Sequence, residues 1–301
     1  MTGHAHLLKQ LDSEAHVWFT NPATVVDADQ LARCMSLLSA EEKDRHRRFK
    51  FEKDRHQFLV AHAMVRTVLS SYADVHPSAW QFSYNPYGRP EISAPDINTP
   101  LRFNLTHTEG LVACLVTLNS DCGIYAENLR LPGNPQGIAE KMFAASERHA
   151  LNQLQGQAFL ERFFTYWTLR EAYCKAIGLG LSSPMNHFAF ECADGEHFSI
   201  RFDELSKEAL NKLIPLMPFD CAQEGVRQGS LERSRRAHHE RNQQPAVRPE
   251  LVEGLVQRFP NQHPRHWQFT VLKPSPAHIA AIAICSDEPA KKVVVQPFHF
   301  P

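Results

Sequence analysis

Surplus charge is the first thing this sequence lacks. Lys and Arg together number 32 and Asp and Glu 33 among 301 residues, a formal net charge of −1. No global positive field exists to hold nucleic acid, so no nucleic-acid partner is expected. Long apolar runs are missing too: nothing approaches the roughly 18–20 residues that cross a bilayer, so no membrane partner is expected. Residues 1–11 carry His4, His6 and Lys9 without an apolar stretch, which argues against a signal peptide.

Paired cysteine motifs are also absent. The seven cysteines (Cys34, Cys114, Cys122, Cys174, Cys192, Cys221 and Cys285) are odd in number, scattered and never spaced C-x-x-C. This argues against a disulfide framework and a structural zinc site, and a reducing cytoplasm is the expected location. Seventeen histidines are present, yet none forms H-E-x-x-H. What the chain does have is 43% hydrophobic and 10% aromatic residues, enough for a sizeable core.

The pattern predicts a strand at 16–19 and a helix at 29–38, with Leu31, Cys34, Met35 and Leu38 at helical spacing. Ser39 followed three residues later by Glu42 is a capping box opening a second helix. A third helix is expected at 54–72, its stripe made by Phe58, Leu59, Met64, Val65, Val68 and Leu69. The segment from Asn85 to Pro90 is turn chemistry. Residues 103–108 precede a near-continuous apolar strand at 111–118, and 122–127 is expected to be its antiparallel partner. Helices are predicted at 143–154 and 163–177, the latter stopped by Gly178 and Gly180. Strands at 188–192, 198–202, 267–272 and 278–285 complete an α+β chain of two halves. The division is expected at 1–108 and 109–301. Residues 223–262, rich in Arg, Gln, Glu, Gly and Pro, are expected to be an unstructured insertion; their stretch at 245–254 resembles a translated bacterial dispersed repeat.

Three words carry candidate chemistry. They are Phe103-Asn-Leu-Thr-His-Thr108, Gly123-Ile-Tyr-Ala-Glu127 and Trp167-Thr-Leu-Arg-Glu-Ala-Tyr-Cys-Lys175. Glu171 and Lys175 fall at i, i+4 on one helix face, which alone is the pattern of a surface ion pair. Tyr125 and Glu127 share one face of a strand, about 7 Å apart. Glu127 alone reads as a surface carboxylate and His107 alone as a turn histidine.

Taken in order, these words resemble the Sfp-type 4′-phosphopantetheinyl transferases, over nearly the whole chain apart from the insertion. Residues 39–49 leading into the next helix, Tyr87-Gly-Arg-Pro90 and residues 143–147 match as well. The resemblance implies two similar α/β halves forming a pseudo-dimer, a monomeric chain with the active site in the cleft between the halves. It implies transfer of phosphopantetheine from coenzyme A, with Mg²⁺, to a serine of an acyl or peptidyl carrier protein, releasing 3′,5′-ADP. The carrier would belong to fatty-acid, polyketide or nonribosomal-peptide synthesis.

Position by position, the resemblance makes Glu171 a metal ligand and the general base. Lys175, His107 and Thr106 would meet the phosphates. Arg89 with Pro90 would hold the adenine-ribose end, and Arg45 would lie near the 3′-phosphate. Glu127 would be the second metal ligand. Arginine replaces the lysine often found at 45, 89 and 170, which keeps the charge.

One departure stands out. The family word is Gly-Ile-Asp-x-Glu, whose Asp binds magnesium, and this chain has Tyr125 there. A phenol with a pKa near 10 is a poor ligand for a hard dication. Asp121 lies about 13 Å further back along the strand and cannot obviously replace it. The alternative expectation is therefore a catalytically impaired relative that binds coenzyme A or carrier protein without efficient transfer.

Overall fold

The structure, a computed structural model, describes residues 3–130, 133–178, 186, 188–192, 197–202, 267–286 and 289–300. The 223–262 segment and Gly180 therefore lie outside the described residues.

In chain order the first elements are α1 (Gly3–Gln10), β1 (Glu14–Thr20), α2 (Ala28–Leu37), α3 (Ala40–Arg48) and α4 (Glu52–Ser70). A hairpin of β2 (Gln81–Tyr84) and β3 (Pro90–Ala94) follows, then β4 (Leu101–Thr108), β5 (Leu111–Leu118) and β6 (Asp121–Asn128). Three helices come next: α5 (Pro135–Met142), α6 (Ala145–Asn152) and α7 (Gly156–Ile177). The remaining strands are β7 (Phe188–Cys192), β8 (Phe198–Phe202), β9 (Trp267–Ser275), β10 (His278–Cys285) and β11 (Lys292–Pro297). Helices and strands mix in two domain-like halves, an α+β fold.

Two larger sheets are stacked. One has the order β11-β1-β5-β4 and the other β6-β10-β9-β8-β7. Alternation along each strand sends one set of side chains to a helix and the other to the opposing sheet. From β5, Val112, Cys114 and Val116 pack with Val60, Met64 and Val68 of α4. Ala113 and Leu115 instead meet Ile124, Ile282 and Ile284 between the sheets. This burial on both faces explains the unbroken apolar run of β5. Helix α7 lies against the far face of the second sheet. Its Phe163, Leu169 and Tyr173 share a core with Phe188, Phe269 and the β10 residues Ile279, Ala281 and Ala283. Small side chains on β10 let the helix sit close to the sheet.

Most expected elements form. The Ser39 capping box is present, with the Glu42 N–H donating to Ser39 Oγ at 3.1 Å and the Ser39 N–H to Glu42 Oε2 at 2.8 Å. Gly178 ends α7 with φ +75°, a conformation glycine adopts without a Cβ penalty.

Two expectations need correction. Strand β6 does not pair with β5, because β1 and β4 already occupy both edges of β5; it opens the second sheet beside β10 instead. The expected 143–154 helix starts later, because Phe143 is extended at the end of α5 and the new helix begins at Ala145. The expected division at 108/109 falls within the β4–β5 hairpin; the sheets change after β5, and β11 pairs in parallel with β1. Among the described residues, no helix is long and apolar enough to cross a membrane.

Candidate active site

The site forms where β4, β6 and α7 meet. Strands β4 and β6 are edges of different sheets, and side chains join them: the Ile124 N–H donates to Asn104 Oδ1 at 3.0 Å, and the Ala126 N–H to Thr106 Oγ1 at 3.1 Å. Each bond satisfies an edge amide that would otherwise be buried unpaired. On the other face of β6, Gly123, Tyr125 and Glu127 turn toward α7. At Gly123 the helix approaches so closely that a Cβ there would overlap the Ala172 carbonyl oxygen.

This packing brings Tyr125, Glu127, Glu171 and Lys175 into one electrostatic cluster. The Tyr125 hydroxyl donates to Glu127 Oε2 at 2.8 Å, and the Asn128 N–H donates to Glu127 Oε1 at 3.3 Å. Glu127 and Glu171 are only 3% and 9% exposed. Burial pushes Glu127 up to about 7, against the opposing effect of the Tyr125 hydrogen bond. Burial likewise pushes Glu171 up to about 7, with Lys175 opposing and Glu127 reinforcing. The Glu171 Oε1 atom is buried without a hydrogen-bond partner. Such an atom costs free energy unless a cation or donor reaches it.

Lys175 is not an exposed ion-pair partner. Its Nζ donates to the carbonyls of Leu105 on β4 at 2.8 Å and Ile124 on β6 at 3.0 Å. Burial lowers its pKa to about 8, opposed by the Glu171 charge. Two of three ammonium hydrogens are thus committed to the backbone, leaving one for a ligand.

The other expected residues are placed differently. Thr106 faces β6 and spends its hydroxyl on Ala126, while His107, next along β4, projects from the opposite strand face. Arg89, just before Pro90 at the start of β3, donates through Nη1 to the Ala176 carbonyl at 2.5 Å and through Nη2 to Asp121 Oδ1 at 3.2 Å. Nearby, Asn85 Nδ2 donates to the Gly178 carbonyl at 2.9 Å, so the 85–90 turn caps the C-terminus of α7. Arg45 stays in the first half, its guanidinium 5.6 Å from the Phe58 ring centre.

Arg170 keeps the charge of the lysine often found there but spends it inside the protein. It is fully buried, donating to both Glu147 carboxylate oxygens and to the Phe188 carbonyl. Glu147 also accepts from the Ala144 N–H at the start of α6. The first half repeats the arrangement: Arg66 of α4 donates to Glu42, which accepts from the Ser39 N–H ahead of α3. The acid and its arginine are 23 positions apart in one half and 24 in the other. That matched spacing is the sequence signal that could have exposed the repeat, and Asn104 had no comparable signal.

The comparisons with known proteins follow the same division. Residues 26–119 match the family described as 4′-phosphopantetheinyl transferase, N-terminal, and residues 121–212 match the 4′-phosphopantetheinyl transferase superfamily. The chain is 32% identical over 175 residues to 4′-phosphopantetheinyl transferase HetI of a Nostoc species, covering 58% of this chain and 73% of that protein. It is 29% identical over 189 residues to a 4′-phosphopantetheinyl transferase of Bacillus subtilis, covering 62% and 80% respectively. A third relative is 4′-phosphopantetheinyl transferase Sfp of Bacillus subtilis, 29% identical over 172 residues, covering 57% and 74%. With the two matched regions meeting where the sheets change, this chain belongs to the 4′-phosphopantetheinyl transferase family of enzymes.

Proposed function

We propose that this chain transfers 4′-phosphopantetheine from coenzyme A to a serine hydroxyl of an acyl or peptidyl carrier protein, releasing 3′,5′-ADP. The observation that carries the reading is the meeting of Glu127 and Glu171, two buried carboxylates from β6 and α7. Burial raises the proton affinity of both, and the Glu127 charge adds to the rise at Glu171.

Mg²⁺ fits these residues. An unpartnered Glu171 oxygen beside a second buried carboxylate suits a hard cation that takes one or two carboxylates and completes its shell from substrate phosphates. Glu127 and Glu171 would hold it, and when bound it would neutralise charge on the pyrophosphate. Among the described residues no group of three or more His, Cys, Asp or Glu forms, which agrees with Tyr125 standing where the family has Asp.

The chain's own residues supply the rest. Glu171 accepts the proton of the carrier serine as its oxygen attacks the pantetheine-side phosphorus. The bond from that phosphorus to the bridging oxygen breaks, and the electron pair leaves with 3′,5′-ADP. Lys175, anchored by two carbonyls, directs its remaining N–H toward a phosphate oxygen, a fixed charge that needs no reorganisation. His107, Arg45 and the Arg89–Pro90 turn are assigned to the phosphates and nucleotide end. The two halves meet after β5, the cleft between them holds coenzyme A, and the chain works as a monomer in the cytoplasm.

The reading is tested by separating nucleotides chromatographically after incubation with coenzyme A, Mg²⁺ and apo carrier protein. Release of 3′,5′-ADP that depends on the carrier supports it, and no release with any carrier defeats it. A second reading, binding without efficient transfer, is favoured by Tyr125 alone; coenzyme A binding with no nucleotide release would establish it.

A further inference from the structure

We propose that Tyr125 makes divalent-cation binding conditional on coenzyme A, an inference that rests on the proposed transferase site. Both oxygens of Glu127 already accept hydrogen bonds, from the Tyr125 hydroxyl at 2.8 Å and the Asn128 N–H at 3.3 Å. Glu171 Oε1, by contrast, has no hydrogen-bond partner. Over the Tyr125 ring stands Lys175, its Nζ 5.6 Å from the ring centre, a fixed positive charge beside the two carboxylates.

A cation arriving alone therefore meets the unpartnered Glu171 carboxylate, a Glu127 carboxylate already hydrogen-bonded to Tyr125, and a nearby ammonium. At Glu127 Oε2 it must compete with the Tyr125 hydroxyl, which already draws on the electron density of that oxygen. The diphosphate of coenzyme A changes this balance, because its oxygens supply ligands and offset the Lys175 charge. Cation and nucleotide then bind cooperatively, and thermodynamic linkage requires each to strengthen the other by the same factor.

Mn²⁺ titration followed by electron paramagnetic resonance, without carrier protein, tests this on the full chain. The wild type is expected to bind Mn²⁺ at least about ten-fold more tightly with coenzyme A than without it. Tyr125→Phe keeps the ring and removes the donor, so Mn²⁺ binding without coenzyme A should tighten and the coupling shrink. Tyr125→Asp adds a carboxylate and should tighten it further. Equal wild-type affinity with and without coenzyme A overturns the proposal, as does wild-type coupling in Tyr125→Phe. If the chain still modifies a carrier in those cases, the transferase reading stands and only the role of Tyr125 fails. Failure to bind coenzyme A at all overturns both.

Discussion

Gly123 and Ala172 touch backbone to backbone: a Cβ on Gly123 would overlap the Ala172 carbonyl oxygen and sit 2.5 Å from the Ala176 amide nitrogen. This contact sets the distance between β6, which carries Tyr125 and Glu127, and α7, which carries Glu171 and Lys175. Gly123→Ala must push the helix away from the strand. The expected loss is about 3 kcal/mol or more, the upper end of overpacking costs. Denaturant titration checks it; unchanged stability would mean that the helix retreats freely.

Lys175 joins the halves through Leu105 on β4 and Ile124 on β6. Lys175→Met leaves two carbonyls without their donor, and the ligand-free protein should lose about 1–3 kcal/mol. A lysine serving phosphate alone would leave ligand-free stability unchanged, so a thermal melt without coenzyme A separates the two roles.

The Glu147–Arg170 pair is buried on both sides, with side chains 1% and 0% exposed. Removing one partner strands a buried charge, so Glu147→Ala or Arg170→Met should each cost about 3–5 kcal/mol. The double substitution should cost less than the two singles added together. Additive losses in that cycle would show that the pair is not coupled.

Glu127 and Glu171 both have their pKa raised by burial to about 7, above the ordinary carboxylate value of 4.5. In that window the folded chain holds protons that the unfolded chain has released. Their contribution to stability is therefore full below the unfolded value and is lost as pH rises toward about 7. In EDTA, the wild type should lose stability relative to the Glu127→Gln/Glu171→Gln variant as pH rises through this range. A constant difference between the two would contradict the burial of these charges.

Much of this arrangement was legible in the sequence. The 111–118 strand showed itself because both its faces are buried, and the end of α7 because Gly178 takes a positive φ. The convergence of Glu127 and Glu171 followed from the resemblance rather than from spacing, since each lies on a separate element. The pairing of β6 was misread because periodicity shows which face of a strand is buried but not whether its neighbour's edges are occupied. The capping role of Glu42 was legible, but the pairing of Glu42 and Glu147 with arginines was hidden because each partner lies more than twenty residues away. Lys175 looked like half of a surface pair because its carbonyl partners come from two distant strands.

The mass of an apo carrier protein after incubation with coenzyme A, Mg²⁺ and this chain tests the central claim most directly. The account predicts the gain of one phosphopantetheinyl group on a serine with the wild type, and little or none in the same time with Glu171→Gln. A carrier left unmodified by the wild type, or modified equally fast by Glu171→Gln, would contradict it.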